Sequence, residues 1–186
     1  MKKKSMLKMK FSLIVMLLFV SCSKSEIYEP LYASYLGNGI KVSFTDLSGR
    51  DLLSDEVFVS NLSIYGILSK REIPFEIKKT KIDEVETSYL IFHAELPDIK
   101  YVSFNPDKTE GLGLSTIKIK TSGKSAKLMC NYKYYATKTE TEAYGNSSIR
   151  IESIEYNGKK VTRGNNPINS DFILNFRVED DEITLK

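Results

Sequence analysis

Histidine, cysteine and tryptophan are nearly missing from this chain of 186 residues, which has one, two and none of them respectively. The usual zinc sites need three or four His or Cys ligands, so they are excluded. His93 alternates onto the strand face opposite Leu90 and Phe92, which favours a solvent-facing residue over a catalytic base. Cys130 shares an apolar face with Leu128, and a thiol buried there is expected to have a raised pKa and to be inert.

Long apolar runs are also lacking at the start of the chain, where a membrane-spanning helix would need roughly 20 such residues. The apolar run at residues 11–20 has about half that length, and Ser12 is its one polar residue. Five lysines and no acid precede it. This length and these flanks are typical of an export signal that is removed after use.

A cysteine follows the apolar run directly. The segment Leu18-Phe19-Val20-Ser21-Cys22 resembles a lipobox, the cleavage motif of bacterial lipoproteins, with Phe19 at the position where an aliphatic residue is commonest. The resemblance implies cleavage before Cys22, which would then carry a diacylglyceryl thioether and an N-acyl chain. Three acyl chains anchor a protein far better than one, because each buried CH₂ contributes about 0.8 kcal/mol.

The resemblance also implies a location. The tract after Cys22, Ser23 to Glu26, is loosely similar to the short Ser/Lys/acidic tracts that direct lipoproteins of Bacteroides-like bacteria to the cell surface. Ser23 gives no signal for inner-membrane retention. We therefore expect an outer-membrane protein, anchored in the lipid bilayer through acylated Cys22, that faces either the cell surface or the periplasm.

Removal of residues 1–21 changes the charge of the chain. It takes away five of the 27 basic residues and none of the 24 acidic ones, so the net charge goes from +3 to −2. A nucleic-acid partner is therefore not expected. Lipidation of Cys22 would leave Cys130 without a cysteine for an intramolecular disulfide.

Apolar and polar residues alternate through most of the remaining chain, for instance over residues 40–45, 89–96 and 172–179. Asn157-Gly158 is the strongest hairpin signal. No segment carries an apolar stripe of helical period and length. The pattern predicts an all-β fold, an antiparallel and immunoglobulin-like β-sandwich of about eight to ten strands.

The domain organisation follows from these segments. We expect a signal peptide at residues 1–21, a short lipidated lead-in at 22–37 and a single sandwich domain at 38–186.

Few residues qualify as site candidates. The segment Asp46 to Asp51 departs from the EF-hand pattern, so a β-turn is preferred to a calcium site. Lysine clusters at residues 78–81 and 118–127 are expected to point outward from strands. Tyr135 and Tyr144 belong to a local excess of tyrosine, a residue enriched at binding surfaces, and are the candidate ligand contacts. No cofactor, metal site or catalytic residue is predicted.

These observations support one main function and two alternatives. The main one is a non-enzymatic binding or structural domain that contacts a protein or a glycan, as in the small lipoproteins of Bacteroides-like bacteria, which this chain resembles in signal and strand pattern. The first alternative is a fimbrial or adhesin-type subunit that exchanges strands with a neighbour. The second is a hydrolase that uses two surface carboxylates, although no spacing singles out a pair.

Overall fold

Two β-sheets dominate the part of the chain that the computed structural model describes. The described residues are 27–82, 85–137, 146–163, 171–180 and 182–186. The lipobox-like segment from Leu18 to Cys22 and the contact candidate Tyr144 lie outside them.

The strands carry the alternating apolar pattern of the sequence. In chain order they are β1 (Tyr35–Gly37), β2 (Gly39–Thr45), β3 (Ser63–Gly66), β4 (Phe75–Ile82), β5 (Val85–His93), β6 (Ser103–Phe104), β7 (Glu110–Thr121), β8 (Lys124–Ala136), β9 (Ser147–Tyr156), β10 (Lys159–Thr162), β11 (Phe172–Val178) and β12 (Ile183–Leu185). The described residues also form one short helix, α1 (Glu56–Ser60), and two 3₁₀ turns, at Leu52–Ser54 and Ile99–Tyr101.

The strands divide into two mixed sheets that pack together. The larger sheet has the order β1-β9-β8-β7-β3, with β10 also paired to β9 and β6 also paired to β7. The smaller sheet has the order β12-β11-β2-β5-β4. The predicted all-β sandwich is therefore confirmed, and its immunoglobulin-like topology stays a prediction.

The direction of the strands departs from the expected pattern at two pairings. Eight pairings among the described strands are antiparallel. β1 runs parallel to β9, and β2 runs parallel to β11 with Ile40 opposite Phe172. Both parallel pairs join the start of the sandwich to its late strands, and parallel neighbours cannot be joined by a tight hairpin.

Aromatic side chains from both sheets meet in the core. The ring of Phe176 on β11 lies 5.7 Å from that of Phe44 on β2 and 5.2 Å from that of Tyr156 on β9. All three side chains are buried. Full burial of such a side chain contributes about 1.5–3 kcal/mol, so this cluster is a main cohesive contact between the sheets.

A short helical segment between β2 and β3 packs against the core. Asp51 accepts a hydrogen bond from the backbone N–H of Leu53 and begins the first 3₁₀ turn, and Asp55 caps α1 in the same way. Leu52, Leu53 and Phe58 are buried. The helix α1 was not predicted from the sequence, because five residues are too few to show a helical period.

The hairpin predicted at Asn157-Gly158 is confirmed. Both residues have positive φ angles, 46° and 77° respectively, as the two central residues of a type I′ turn require. β9 and β10 pair on either side of this turn, with Tyr156 opposite Lys159.

Residues 27–37, assigned to the lead-in from the sequence, lie along the sandwich in the structure. The hydroxyl of Tyr28 donates to the carbonyl of Leu96 at 2.7 Å, and the backbone N–H of Leu31 donates to the carbonyl of Pro97 at 2.9 Å. The side chain of Leu31 is buried. Residues that follow Cys22 by six and nine positions are thus part of the described fold.

A buried arginine, Arg163, lies beside β9. It stands between the residues of β9 that pair with β1 and those that pair with β10. The Nε of Arg163 donates to the carbonyl of Ile151 at 3.0 Å, and its guanidinium also lies 3.4 Å from the carbonyl of Gly37. The guanidinium stacks over the ring of Phe172 in the other sheet, 4.9 Å from its centroid. Burial lowers the pKa of Arg163 from its usual value, but an arginine keeps its charge at neutral pH.

Substitution of Arg163 by methionine tests this junction. Arg163→Met keeps an apolar stem but leaves the carbonyls of Gly37 and Ile151 without their donor. We expect the free energy of unfolding, measured in urea, to fall by about 2–4 kcal/mol. Arg71→Met, at an exposed position, is the matched control and should change stability by less than about 0.5 kcal/mol. If Arg163→Met were as stable as the wild type, Arg163 would not stabilise the fold through the carbonyls of Gly37 and Ile151.

Candidate functional site

Tyr135, one of the two predicted contact residues, lies on the outer face of the larger sheet. Its ring is flanked by two cations, the Nζ of Lys133 at 4.5 Å from the centroid and the guanidinium carbon of Arg150 at 5.4 Å. The sheet register explains this arrangement, because Lys133 lies opposite Arg150 on β9 and precedes Tyr135 by two residues on the same face. Such contacts contribute about 0.5–1 kcal/mol each at exposed sites.

Each of these cations also has a carboxylate partner. Lys133 Nζ lies 3.4 Å from a carboxylate oxygen of Glu110 on β7, and Arg150 Nε lies 2.5 Å from one of Glu152. The hydrogen bond to Tyr135 is the largest cause that raises the pKa of Lys133, and Glu110 adds to it. The surface around Tyr135 therefore carries fixed charges of both signs.

Strand β1 adds a second tyrosine to this face. Tyr35 lies opposite Ser148, and Ser148 lies opposite Tyr135 on its other side. Neighbouring strands are about 4.8 Å apart, so the two tyrosines stand roughly 10 Å apart across a small serine. We refer to Tyr35, Lys133, Tyr135 and Arg150 as the Tyr135 surface. Tyr35 was missed because β1 has three residues and pairs with a strand far along the chain.

A shallow depression of about 350 Å³ adjoins the Tyr135 surface and shares Lys133 with it. Glu110 and Leu112 also line it, and the side chain of Leu112 is 61% exposed. Beneath it the ring of Phe104 packs edge-on against that of Tyr134, with 5.7 Å between centroids. Apolar, aromatic and charged groups thus converge at one place, as they do in contact surfaces for other molecules.

The predicted lysine clusters lie at the surface of the protein. Lys78, Lys79 and Lys81 are exposed on β4, an edge strand of the smaller sheet. Lys118 and Lys120 line a second depression, of about 340 Å³, at the turn between β7 and β8. A row of lysines on an edge strand discourages pairing with another chain.

His93 and Cys130 lie in different sheets. His93 is exposed at the end of β5, opposite Gly39, whereas Cys130 is fully buried on β8. Burial raises the pKa of the Cys130 thiol to about 12, as the sequence predicted in direction. The two side chains therefore do not converge on one cleft.

The turn predicted from Asp46 is confirmed. Its carboxylate accepts hydrogen bonds from the backbone N–H groups of Ser48 and Arg50, both at 2.9 Å, and from the Ser48 hydroxyl at 2.6 Å. The Ser48 hydroxyl is the largest cause that lowers the pKa of Asp46 to about 2. This carboxylate is thus occupied by its own turn.

Other inward-facing carboxylates hold loops in place. Glu95 accepts hydrogen bonds from the backbone N–H groups of Leu68 and Ser69, each at 3.0 Å. Asp98 is buried and accepts one from the N–H of Lys100 at 3.0 Å. These acids stabilise the fold by charge-assisted hydrogen bonds.

The described residues show neither a metal-binding cluster nor a membrane-spanning helix. They contain no group of three or more His, Cys, Asp or Glu side chains arranged to bind a metal ion. None of the helices within the described ranges has the length and apolar character needed to cross a membrane.

Buried phenols accompany the buried thiol. The hydroxyl of Tyr132 donates to the carbonyl of Glu95 at 3.0 Å, and that of Tyr156 donates to the carbonyl of Ile183. Burial is the largest cause that raises the pKa of each phenol, as it does for Tyr28. All these groups are held in their neutral forms.

Stability should therefore fall at alkaline pH. The folded state keeps the thiol of Cys130 protonated to about pH 12, whereas an unfolded thiol ionises near 9.0. The contribution is complete below that lower value and is lost as the pH rises above it. Between about pH 8 and pH 10.5 we expect urea unfolding to show a loss of about 2 kcal/mol from Cys130 alone, with a further loss from the buried phenols.

Variants separate this effect from general alkaline damage. Cys130→Ala should show a smaller loss over the same pH interval than the wild type, whatever its stability at neutral pH. Tyr32→Phe, which removes an exposed phenol, should follow the wild type. Stability that stays constant or rises with pH would refute the explanation.

Comparison with known proteins adds no family to this description. No family model matches the sequence, and no curated protein or solved structure matches it either. A functional assignment therefore depends on the chain's own residues and on its lipobox-like motif.

Proposed function

We propose that this protein is a lipoprotein of the outer membrane whose β-sandwich is a non-enzymatic binding domain. Acylated Cys22 anchors it, and the sandwich contacts a protein or glycan partner. The lipobox-like motif supports the anchor. The hydrogen bonds of Tyr28 and Leu31 show that the sandwich includes residues close to Cys22 in the sequence.

The Tyr135 surface is the part of the structure that supports the proposed binding role. Its two tyrosines, its two cations and the depression at Leu112 share one face of the larger sheet. Tyrosine offers a large contact area with a polar tip and loses little conformational entropy when it is bound. Because the surface carries charges of both signs, we expect it to select a partner whose charges complement this pattern, and not to attract every molecule of one net charge.

Site-specific photo-crosslinking in cells tests the binding role. A benzophenone amino acid in place of Tyr135 reacts with C–H bonds of proteins and glycans alike, so either partner would be captured. The matched control carries the same group in place of Ile173, which is 51% exposed on the outer face of the smaller sheet. We expect one discrete crosslinked species at position 135 and none at position 173.

Three results would contradict the binding role at this face. They are the absence of any product at position 135, the same product at both positions, and a product that contains phospholipid only. A defined partner should also bind Tyr135→Ala about tenfold or more weakly, because central aromatic contacts contribute over 1 kcal/mol.

Replacement of Cys22 tests the anchor. Cys22→Ala removes the sulfur that carries the diacylglyceryl group, so we expect the protein to leave the membrane fraction and to lose its acyl chains in the mass spectrum. Cys130→Ala is the control and should stay membrane-bound. Membrane fractionation of Cys22→Ala like that of the wild type would show that the lipobox assignment is wrong.

Protease treatment of intact cells tests the orientation. A protein on the cell surface is degraded while the cells remain sealed, whereas a periplasmic one is degraded after lysis only. The Ser23 to Glu26 tract leads us to expect degradation in intact cells. Protection until lysis would assign the protein to the periplasmic face.

A further inference from the structure

The end of the sandwich at which the described chain begins exposes several apolar and aromatic side chains. The exposed fractions are 72% for Ile27, 70% for Tyr32, 43% for Ile99 and 62% for Tyr101. These residues come from two segments that run beside each other, and Lys100 lies between the last two. We refer to Ile27, Tyr32, Ile99, Lys100 and Tyr101 as the anchor-end surface.

Backbone hydrogen bonds hold the two segments together. The N–H of Ile99 donates to the carbonyl of Glu29 at 2.8 Å, and Pro30 forms a bridge with Asp98. The ammonium of Lys100 donates to the carbonyl of Ile27 at 2.7 Å. The backbone of the two segments that carry the exposed side chains is therefore held in a defined position.

The distance to the anchor is limited by the covalent chain. Five peptide units separate Cys22 from Ile27, and a chain of that length spans at most about 18 Å. If Cys22 carries acyl chains, as proposed above, Ile27 stays within that distance of the point where they are attached. The anchor-end surface is then the part of the described structure that is tied most closely to the bilayer.

We propose that the anchor-end surface rests in the interfacial layer of the bilayer that holds the acyl chains. Tyrosine favours this layer because its ring is apolar and its hydroxyl stays hydrated. Amphipathic elements lie about 5–10 Å deep there. The acyl anchor makes the contact intramolecular, so that a few side chains suffice where they would not bind lipid alone.

The charges of the anchor-end surface and its neighbours are compatible with a position at the bilayer. Glu29 and Lys100 are both exposed, so the two segments carry one exposed charge of each sign. Asp98 is turned inward, toward the N–H groups of Lys100 and Glu29. Apolar contact therefore dominates over attraction to anionic lipids, and the orientation should depend little on salt.

The lack of tryptophan allows a direct test. Tyr101→Trp gives the full acylated protein a single indole, which lies on the anchor-end surface. Leu47→Trp is the matched control, since Leu47 is 64% exposed and follows β2 at the end remote from Gly39, about 20 Å away along the strand. Both variants are reconstituted in vesicles of phosphatidylethanolamine with a minor fraction of phosphatidylglycerol, and quenching by acyl-brominated lipid is measured.

We expect the indole of Tyr101→Trp to be quenched at least about twofold more than that of Leu47→Trp, because bromine quenches at short range only and the interfacial layer is thin. Circular dichroism checks that both variants are folded. Equal quenching, or quenching of Leu47→Trp alone, overturns the inference. The lack of any quenching in protein whose acyl chains are present in the mass spectrum overturns it as well and leaves the lipoprotein proposal intact. Lack of acyl chains on Cys22 overturns both.

Discussion

The guanidinium of Arg163 joins the first strand of the sandwich to its later strands. It donates to a carbonyl of β9, reaches the last residue of β1, and stacks on the first aromatic ring of β11 in the other sheet. Short edge strands cannot hold a chain end by their own few hydrogen bonds. A positive charge removed from water is costly by itself, but here it satisfies backbone carbonyls that would otherwise lack donors.

Buried and half-buried polar groups serve the same purpose elsewhere in the fold. Glu95 and Asp98 hold loops through backbone N–H groups, and Tyr28 and Tyr132 donate to backbone carbonyls. These carboxylates and phenols thus bind backbone groups of irregular segments. The groups left on the outside, such as those around Tyr135, are suited to contact with another molecule, and this division underlies the proposed binding role.

Local patterns in the sequence predicted a large part of the fold and little of the site. Alternation of apolar residues specified the long strands, and Asn157-Gly158 specified its turn, because both depend on neighbouring residues alone. The parallel pairings, Tyr35 on the outer face and the role of Arg163 depend on residues more than a hundred positions away or on very short elements. Tyr135 was chosen as a contact candidate because it belongs to a tyrosine-rich strand, whereas the two cations beside its ring depend on the register of β8 on β9.

The parallel pairing of β2 with β11 also has a consequence for the order in which the molecule can form. Ser43 on β2 and Asn175 on β11 share a hydrogen bond across 132 residues of chain. β2 is synthesised early, yet it lacks one of its two neighbours until almost the whole chain exists. Contacts of such long range slow folding. An apolar strand whose backbone groups are still unpaired along one edge can also associate with other chains. A protein of this topology would therefore gain from a holding chaperone until its last strands arrive.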